Sequence, residues 1–337
     1  MIFLANARML NETPQERHRV SCREANSYNA HMNKDFARDL ERFGPHRGTT
    51  PIRRADAQMY CSHLAKTHYE NFSVASLLLP RKLIRHFHNV YAYCRWSDDL
   101  ADETGGGQYA LDLLQWWREE LMLCYEGHPR HPVMVALKPT IERFNIPPDP
   151  FLALLISFEQ DQVVKRYETF EELLHYCQGS ANPVGHLVLY LCECYDDDRA
   201  YLSDHICTGL QLANFWQDVA RDYDIGRIYI PLEDLRFFDY SEEDFEKRNY
   251  NHSFVELLKF EVDRAKELFY RGYPLVEKIP STVQADIELF IQGGLGILSK
   301  IEQINYNVWE RRPVLSKLSK ARLLLGAIWQ RFRAHFG

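Results

Sequence analysis

The sequence lacks the features that mark several protein classes. Its 40 Lys and Arg do not outnumber its 47 Asp and Glu, and the net charge is −7. Nucleic-acid-binding domains usually carry a clear basic excess, so nucleic acid is excluded as the main partner. No apolar run reaches the ~18 residues that span a bilayer; Phe151 to Phe158 is among the longest. The eight cysteines, at 22, 61, 94, 124, 177, 192, 194 and 207, include no CxxC pair. A chain this long is not a small secreted domain stapled by disulfides, and reduced, buried thiols in a cytoplasmic protein are expected. The apolar opening MIFLANARML runs into polar NETPQERHR where a signal peptide would have small residues and a cleavage site, so none is expected. Also missing are βαβ alternation, a hairpin series and a repeat period. The glycine run Gly293, Gly294, Gly296 follows a helical pattern and is not GxGxxG, so a Rossmann site is not supported.

What is present points to helices. At 46% hydrophobic the chain is not disordered throughout. Its length allows two domains or one large helical one. Residues 1–55 are polar and Arg-rich and end in the breakers Gly44, Pro45, Gly48 and Pro51. They are expected to be a loosely ordered extension with a short helix near Asn33 to Phe43. Residues 56–337 are expected to form one all-α domain, a multi-helix bundle. One long helix begins at Pro80, carries Leu83, Phe87, Val90, Tyr91 and Cys94 at spacings of three and four, and ends at Gly105 to Gly107. Further helical patterns cover 108–126, 132–144, 150–166, 170–180, 184–195, 199–222, 252–278, 281–309 and 314–335. An acidic loop with Gly226 and Pro231 interrupts them.

Two stretches carry chemistry. Asp98 and Asp102 are four apart at the end of the helix from Pro80, so they share a face. There they repel one another at the negative end of the helix dipole, an arrangement that folding does not favour and a hard divalent cation does. Asp218 and Asp222 repeat the spacing and extend a polar stripe with Gln211 and Asn214. Two such helices facing one another would form a cage of oxygen ligands for Mg²⁺, which also takes oxygens from substrate phosphates. Arg95 and Arg227 flank the motifs, which suits a diphosphate held by guanidinium forks. A solvated acidic helix end is the plainer alternative for either motif alone.

These residues resemble a known family. HYENFSVASLLLPRKLIRHFHNVYAYCRWSDDLADE (68–103) and QLANFWQDVARDYDIGRIYIP (211–231) are similar to the two aspartate-rich regions of the squalene and phytoene synthase family. YCQGSANPVGHLVLYL (176–191) is similar to its central helix pair and NYNVWERRPVL (305–315) to its closing segment. The hydroxysqualene synthase branch of bacterial hopanoid biosynthesis is the most similar. The resemblance implies an isoprenoid-synthase-type bundle with a central cavity, and Mg²⁺ on Asp98, Asp102, Asp218 and Asp222 with Asp99 in support. Arg95, Gln211, Asn214, Arg227 and Tyr306 would contact diphosphate or order its metals, and Tyr91 and Tyr176 would line the cavity. The implied reaction is conversion of presqualene diphosphate to hydroxysqualene. Aromatic faces stabilise a carbocation without attacking it, and Tyr93, Phe158, Tyr190 and Phe215 join Tyr91 and Tyr176 as candidates.

Four alternatives stay open. A squalene or presqualene diphosphate synthase would condense two farnesyl diphosphates, and a phytoene-type enzyme is a further variant. Glu172 and His175 form an ExxH half-signature of di-iron bundles, without a second copy. A non-enzymatic helical scaffold would leave the aspartate stripes unexplained. The basic, amphipathic stretch from Arg311 to Phe336 is either a final core helix or a surface for anionic lipid at the inner face of the membrane. Pathway enzymes are further candidate partners.

Overall fold

The computed structural model describes residues 34–46, 51–67 and 79–316, and every regular element among them is helical. The chain divides into two compact units. Among the described residues the first holds 34–46, 51–67 and 81–163, and the second holds 79–80 and 164–316.

The first unit contains α1 (Lys34–Phe43), α2 (Arg54–Thr67), α3 (Arg81–Asp102), α4 (Gly107–Tyr125), α5 (Pro132–Phe144) and α6 (Asp149–Val163). Its centre is α3, which packs against α2, α4, α5 and α6. The stripe from Leu83 to Cys94 explains one apolar face, yet α3 is buried nearly all round from His86 to Leu100. Its polar side chains can face neighbouring helices because they are paired there. Asn89 donates from Nδ2 to the Ala136 carbonyl at 2.8 Å and accepts from Gln58 Nε2 at 2.8 Å. His86 Nδ1 pairs with Thr140 Oγ1 at 2.9 Å. After α3 the chain passes through Gly105, Gly106 and Gly107 at φ of 87°, 76° and 66°, a turn that L side chains enter only with strain.

Within the stretch expected to be loosely ordered, α1 is a packed helix. Phe36 meets Trp96 edge-on at 5.3 Å, and the Tyr60 hydroxyl donates to Asp39 at 2.6 Å while accepting from Trp96 Nε1 at 2.9 Å. A ten-residue helix is marginal alone, so aromatic burial holds it. Residues 1–33 and 47–50 of that stretch lie outside the described residues.

The second unit contains α7 (Phe170–Ser180), α8 (Asn182–Leu191), α9 (Asp197–Asp224), α10 (Leu232–Phe237), α11 (Glu242–Glu246), α12 (His252–Gly272), α13 (Leu275–Lys278) and α14 (Ser281–Gln303). Its central helix α9 packs against α7, α8, α12, α13 and α14. Gly272 permits one of these close approaches, since a Cβ there would stand 2.5 Å from Ile206 Cγ1 and 2.8 Å from the Leu202 carbonyl oxygen.

Several boundaries differ from expectation for local reasons. The helix expected over 252–278 breaks after Gly272, where Pro274 follows. The one expected over 281–309 stops at Gln303, because Asn305 and Tyr306 turn left-handed at φ of 51° and 63°. The one expected over 184–195 stops at Leu191, just before Glu193 at φ 54°. The acidic loop after Pro231 contains α10 and α11, the latter started by a capping box between Ser241 and Asp244. Of the helix expected over 314–335, residues 314–316 are non-helical and 317–337 lie outside the described residues. No described helix is long and apolar enough to cross a membrane.

The seven described cysteines are free, and all but Cys192 are buried. Burial pushes the Cys94, Cys124 and Cys207 thiols up to about 12, which keeps them protonated and unreactive near neutral pH.

One buried acid should make stability depend on pH. Glu261 of α12 is fully buried beside Arg264, whose guanidinium reaches Asp234 at 2.5 and 3.3 Å and lies over the Phe170 and Phe260 rings. Burial, with a hydrogen bond to Asp234, raises the Glu261 carboxyl well above its ordinary value. The folded state therefore holds a proton that the unfolded chain releases near pH 4.5. Its stabilising contribution is complete below that pH and is lost as pH rises toward the folded value. Glu261→Gln should flatten this decline in thermal melts recorded from pH 5 to 8; an unchanged slope would contradict a protonated Glu261.

Candidate active site

The first aspartate motif lies in the last turn of α3, in the first unit. Tyr91, Arg95, Asp98 and Asp102 recur at three and four residues along the helix, with Tyr91 and Arg95 buried and the two aspartates half-buried. The arrangement of charge differs from the simple pair that the spacing suggested. Arg95 is committed to Asp99: Nε donates to one carboxylate oxygen at 2.8 Å and Nη2 donates to the other. Both side chains are 4% exposed, and Nη1 stands 3.7 Å from Asp98. Burial works against the Arg95 charge, and Asp99 and Asp98 override it, so the guanidinium stays protonated. Burial raises Asp99 above the ordinary carboxylate range, against the pull of Arg95. Asp99 thus fixes the guanidinium beside Asp98.

The second motif lies near the C-terminal end of α9, in the second unit. Gln211 and Asp218 are buried, while Asn214 and Asp222 are half-buried. Asp218 is forked by a residue the sequence did not single out as a site residue. Arg312 donates from Nε at 2.6 Å and from Nη2 at 2.9 Å to its two oxygens, and Arg221 stands 3.6 Å away. Arg312 Nη2 also donates to Gln217 Oε1 at 3.2 Å, and Gln217 Nε2 donates to the Pro313 carbonyl. The segment NYNVWERRPVL already contained this arginine, but no spacing rule links positions 94 residues apart.

Beyond α9, Gly226 at φ 79° lets the chain curl back, so that the Arg227 N–H donates to the Asp222 carbonyl at 2.8 Å. Asp222 and Arg227 thereby line one cleft together with Phe215, Trp216, Val219, Ile228, Tyr229, Ile230 and Phe245. Residues 228–233 then run beside 165–168, with Ile228 N–H donating to the Lys165 carbonyl at 3.0 Å and Leu232 N–H to the Tyr167 carbonyl at 2.9 Å. This pairing sets Tyr229 flat on Phe215, centroids 3.7 Å apart and planes within 7°, and stacked with Tyr167 at 5.9 Å. Tyr176 joins the group at 5.3 Å from Tyr167 and 6.0 Å from Tyr229. Tyr167 and Tyr229 were missed, although Tyr229 sits inside the quoted GRIYIP run.

Other candidates lie elsewhere. Tyr93 donates to the Phe151 carbonyl at 3.1 Å and stacks on Trp117 within the first unit's core. Phe158 of α6 is also buried in the first unit. Tyr190 is half-buried and stacks on Tyr195 at 4.1 Å, not on the Tyr176 group. Tyr306 is half-buried, and burial, Glu302, Asp263 and Glu256 together raise its phenol. Its segment also reaches the second motif through Arg312. Glu172 accepts from the Glu168 N–H at 2.7 Å at the start of α7, and its own N–H donates to Thr169 Oγ1 at 3.2 Å. Glu172 therefore serves the start of a helix here.

The donor chemistry suits a hard cation. Asp98, Asp102, Asp218 and Asp222 offer carboxylate oxygens, and Gln211, on the stripe of Asp218 and Asp222, is a buried amide with neither end hydrogen-bonded among the described residues. Among the described residues no three His, Cys, Asp or Glu side chains gather into a ligand set, and Asp218 is instead engaged by Arg312. Arginine there neutralises the charge that a cation would otherwise neutralise.

Comparison with known proteins agrees with these motifs. The squalene/phytoene synthase family description matches residues 65–319. Phytoene synthase of Arthrospira platensis is 30% identical over 292 residues, covering 82% of this chain and 93% of that protein. The 15-cis-phytoene synthase of Synechocystis is also 30% identical, covering 82% and 85%. Among solved structures, squalene synthase HpnC from Alicyclobacillus acidocaldarius is 41% identical with a TM-score of 0.73, covering 77% of this chain and 98% of that one. A dehydrosqualene synthase in complex with ligand is 25% identical with a TM-score of 0.75, covering 82% and 96%. The chain belongs to the squalene/phytoene synthase family.

Proposed function

We propose that this chain carries out the Mg²⁺-dependent conversion of presqualene diphosphate to hydroxysqualene with release of diphosphate. The observation that carries prenyl diphosphate chemistry is the squalene/phytoene synthase match over residues 65–319, which spans both aspartate motifs, and near the second motif Asp222 and Arg227 stand beside the stacked Phe215 and Tyr229. This arrangement sets an anion-binding guanidinium and a cation-binding carboxylate against apolar ring faces. The squalene side of the family is favoured by 41% identity to squalene synthase HpnC, against 30% to the phytoene synthases.

In this proposal Asp98, Asp102, Asp218 and Asp222 hold Mg²⁺, with Asp99 fixing Arg95 beside Asp98. Mg²⁺, when bound, supplies Lewis-acid stabilisation of the charge that builds on departing diphosphate. Arg95 and Arg227 bind the diphosphate oxygens, with Gln211, Asn214 and Tyr306 ordering the polar end of the substrate. Departure leaves a carbocation, and the apolar walls exclude the bulk water that would quench it at random. Faces such as those of Tyr176, Phe215 and Tyr229 stabilise the cation by about 0.5–2 kcal/mol each, and Tyr91 lines the cavity. One water then adds to the rearranged cation and loses a proton, giving the alcohol.

The second reading, a squalene or presqualene diphosphate synthase joining two farnesyl diphosphates, is favoured by the name of the HpnC neighbour. Purified protein with Mg²⁺ and presqualene diphosphate should yield hydroxysqualene without NADPH, and farnesyl diphosphate alone should yield no C30 product. Squalene formed only with NADPH, or presqualene diphosphate formed from farnesyl diphosphate, would select the second reading.

The proposal also places the chain in the cytoplasm, peripheral at the inner face of the membrane through its basic C-terminal segment. Residues 317–337 of that segment lie outside the described residues. Reversing Lys317, Lys320 and Arg331 to Glu should lower co-sedimentation with anionic liposomes, and an unchanged pellet fraction would remove the idea.

A further inference from the structure

We infer that Arg312 is a built-in competitor for the cation at Asp218, and that metal loading releases the segment 311–316 from α9. The inference rests on the proposed metal role of Asp218. The two aspartate motifs differ in how their arginine is placed. Arg95 and Asp99 are equally sealed, 4% exposed each, and α3 supplies both, so the pair is a fixed part of one helix. Arg312 is 21% exposed against 6% for Asp218, and it arrives from a non-helical segment 94 residues away.

The fork engages both oxygens of Asp218, at 2.6 and 2.9 Å. A cation that ligates Asp218 needs at least one of those oxygens and would also stand within a few ångströms of a like-charged guanidinium. Metal and fork are therefore antagonistic. In the fork's absence a carboxylate this buried would carry a heavy desolvation cost, which explains why the chain supplies a cation of its own.

The strap is also held at Gln217. Its Oε1 accepts from Arg312 Nη2 at 3.2 Å, and its Nε2 donates to the Pro313 carbonyl. Losing the fork removes one of these directly, because Arg312 serves Asp218 and Gln217 with the same nitrogen. Arg221, which stands 3.6 Å from Asp218 on α9 itself, stays in place. Coupling of this kind is reciprocal: whatever weakens the fork strengthens the metal, and the metal loosens the strap by the same factor.

The test needs no substrate. Mn²⁺ alone is titrated into the full chain and followed by the electron paramagnetic resonance of free ion, with hydrogen–deuterium exchange of peptides covering 307–316 read in parallel. In the unaltered protein, saturating Mn²⁺ should speed exchange in 311–316. Arg312→Gln should tighten Mn²⁺ by about 5- to 150-fold, the usual span of coupled sites, and exchange in 311–316 should already be fast without metal. Arg312→Lys, which keeps the charge and loses the fork, should fall between. Adding Asp218→Asn to Arg312→Gln should cancel the gain, which assigns it to this carboxylate. If Mn²⁺ binds equally to all variants and leaves 311–316 protected, the competition is overturned while the metal reading stands. If no variant binds Mn²⁺ even at millimolar concentration, the metal reading falls and the competition with it.

Discussion

Asp98→Asn and Asp218→Asn should each lower Mg²⁺-dependent diphosphate release by more than about 100-fold, since even outer-shell partners of a metal ligand are worth 10- to 100-fold. Their effects on stability should part company. Asp98 is 15% exposed, lies 3.7 Å from Arg95 Nη1 and shares the negative end of α3 with Asp102. Removing its charge relieves repulsion there, so the melting temperature should hold or rise. The spacing of the motifs alone suggests the same for Asp218, and the structure reverses that expectation. Asp218 compensates Arg312 through two charged hydrogen bonds, and their loss should cost about 1.5–3 kcal/mol. Paired thermal melts and diphosphate assays on the two variants check this. Equal melting temperatures would contradict the Arg312 fork, and near-normal turnover in either variant would refute its metal role.

The largest loss of stability is expected from Asp99→Ala. Among the described residues Asp99 is the carboxylate that Arg95 forks, and both side chains are sealed inside the first unit. Removing one partner of a buried pair strands the other, at about 3–5 kcal/mol. Chemical denaturation should show this loss directly as a lower midpoint. Activity should also fall in whatever protein remains folded, because Asp99 sets where the guanidinium stands relative to Asp98. Mn²⁺ binding should suffer less than in Asp98→Asn, which separates a positioning residue from a ligand. A melting temperature within the usual small range of surface substitutions would show that Arg95 does not depend on Asp99.

Much of this architecture was legible in the sequence, for physical reasons that also mark where legibility stopped. Apolar spacings of three and four located α3, α9 and α12, because a helix buries a stripe at its own period. Their ends were harder. Gln303 closes α14 because Asn305 and Tyr306 adopt left-handed backbone, which no periodic pattern announces. α1 was expected only as a short helix in loose surroundings, since the aromatic partners that hold Phe36 lie far along the chain at Trp96.

The candidate site divides in the same way. Two DxxxD spacings and their flanking arginines are local and could be read directly. Arg95 to Asp99 is also an i,i+4 pair, so the fork was available to a local rule. Arg312 on Asp218 and Tyr229 on Phe215 were not, because each depends on how a loop returns to α9. Tyr306, expected at the diphosphate from its position in the closing segment, has Glu302, Asp263 and Glu256 as charged neighbours.

The central claim is that this chain ionises a prenyl diphosphate with the help of Mg²⁺ bound to its aspartates. The most direct test is diphosphate release from presqualene diphosphate by the full chain, followed in matched samples with Mg²⁺, with excess EDTA, and with Asp98→Asn replacing the unaltered protein. Release in step with hydroxysqualene, seen only with Mg²⁺ and the unaltered protein, is the predicted result. No release from presqualene diphosphate or from farnesyl diphosphate in the presence of Mg²⁺, or equal release in EDTA, would contradict the claim.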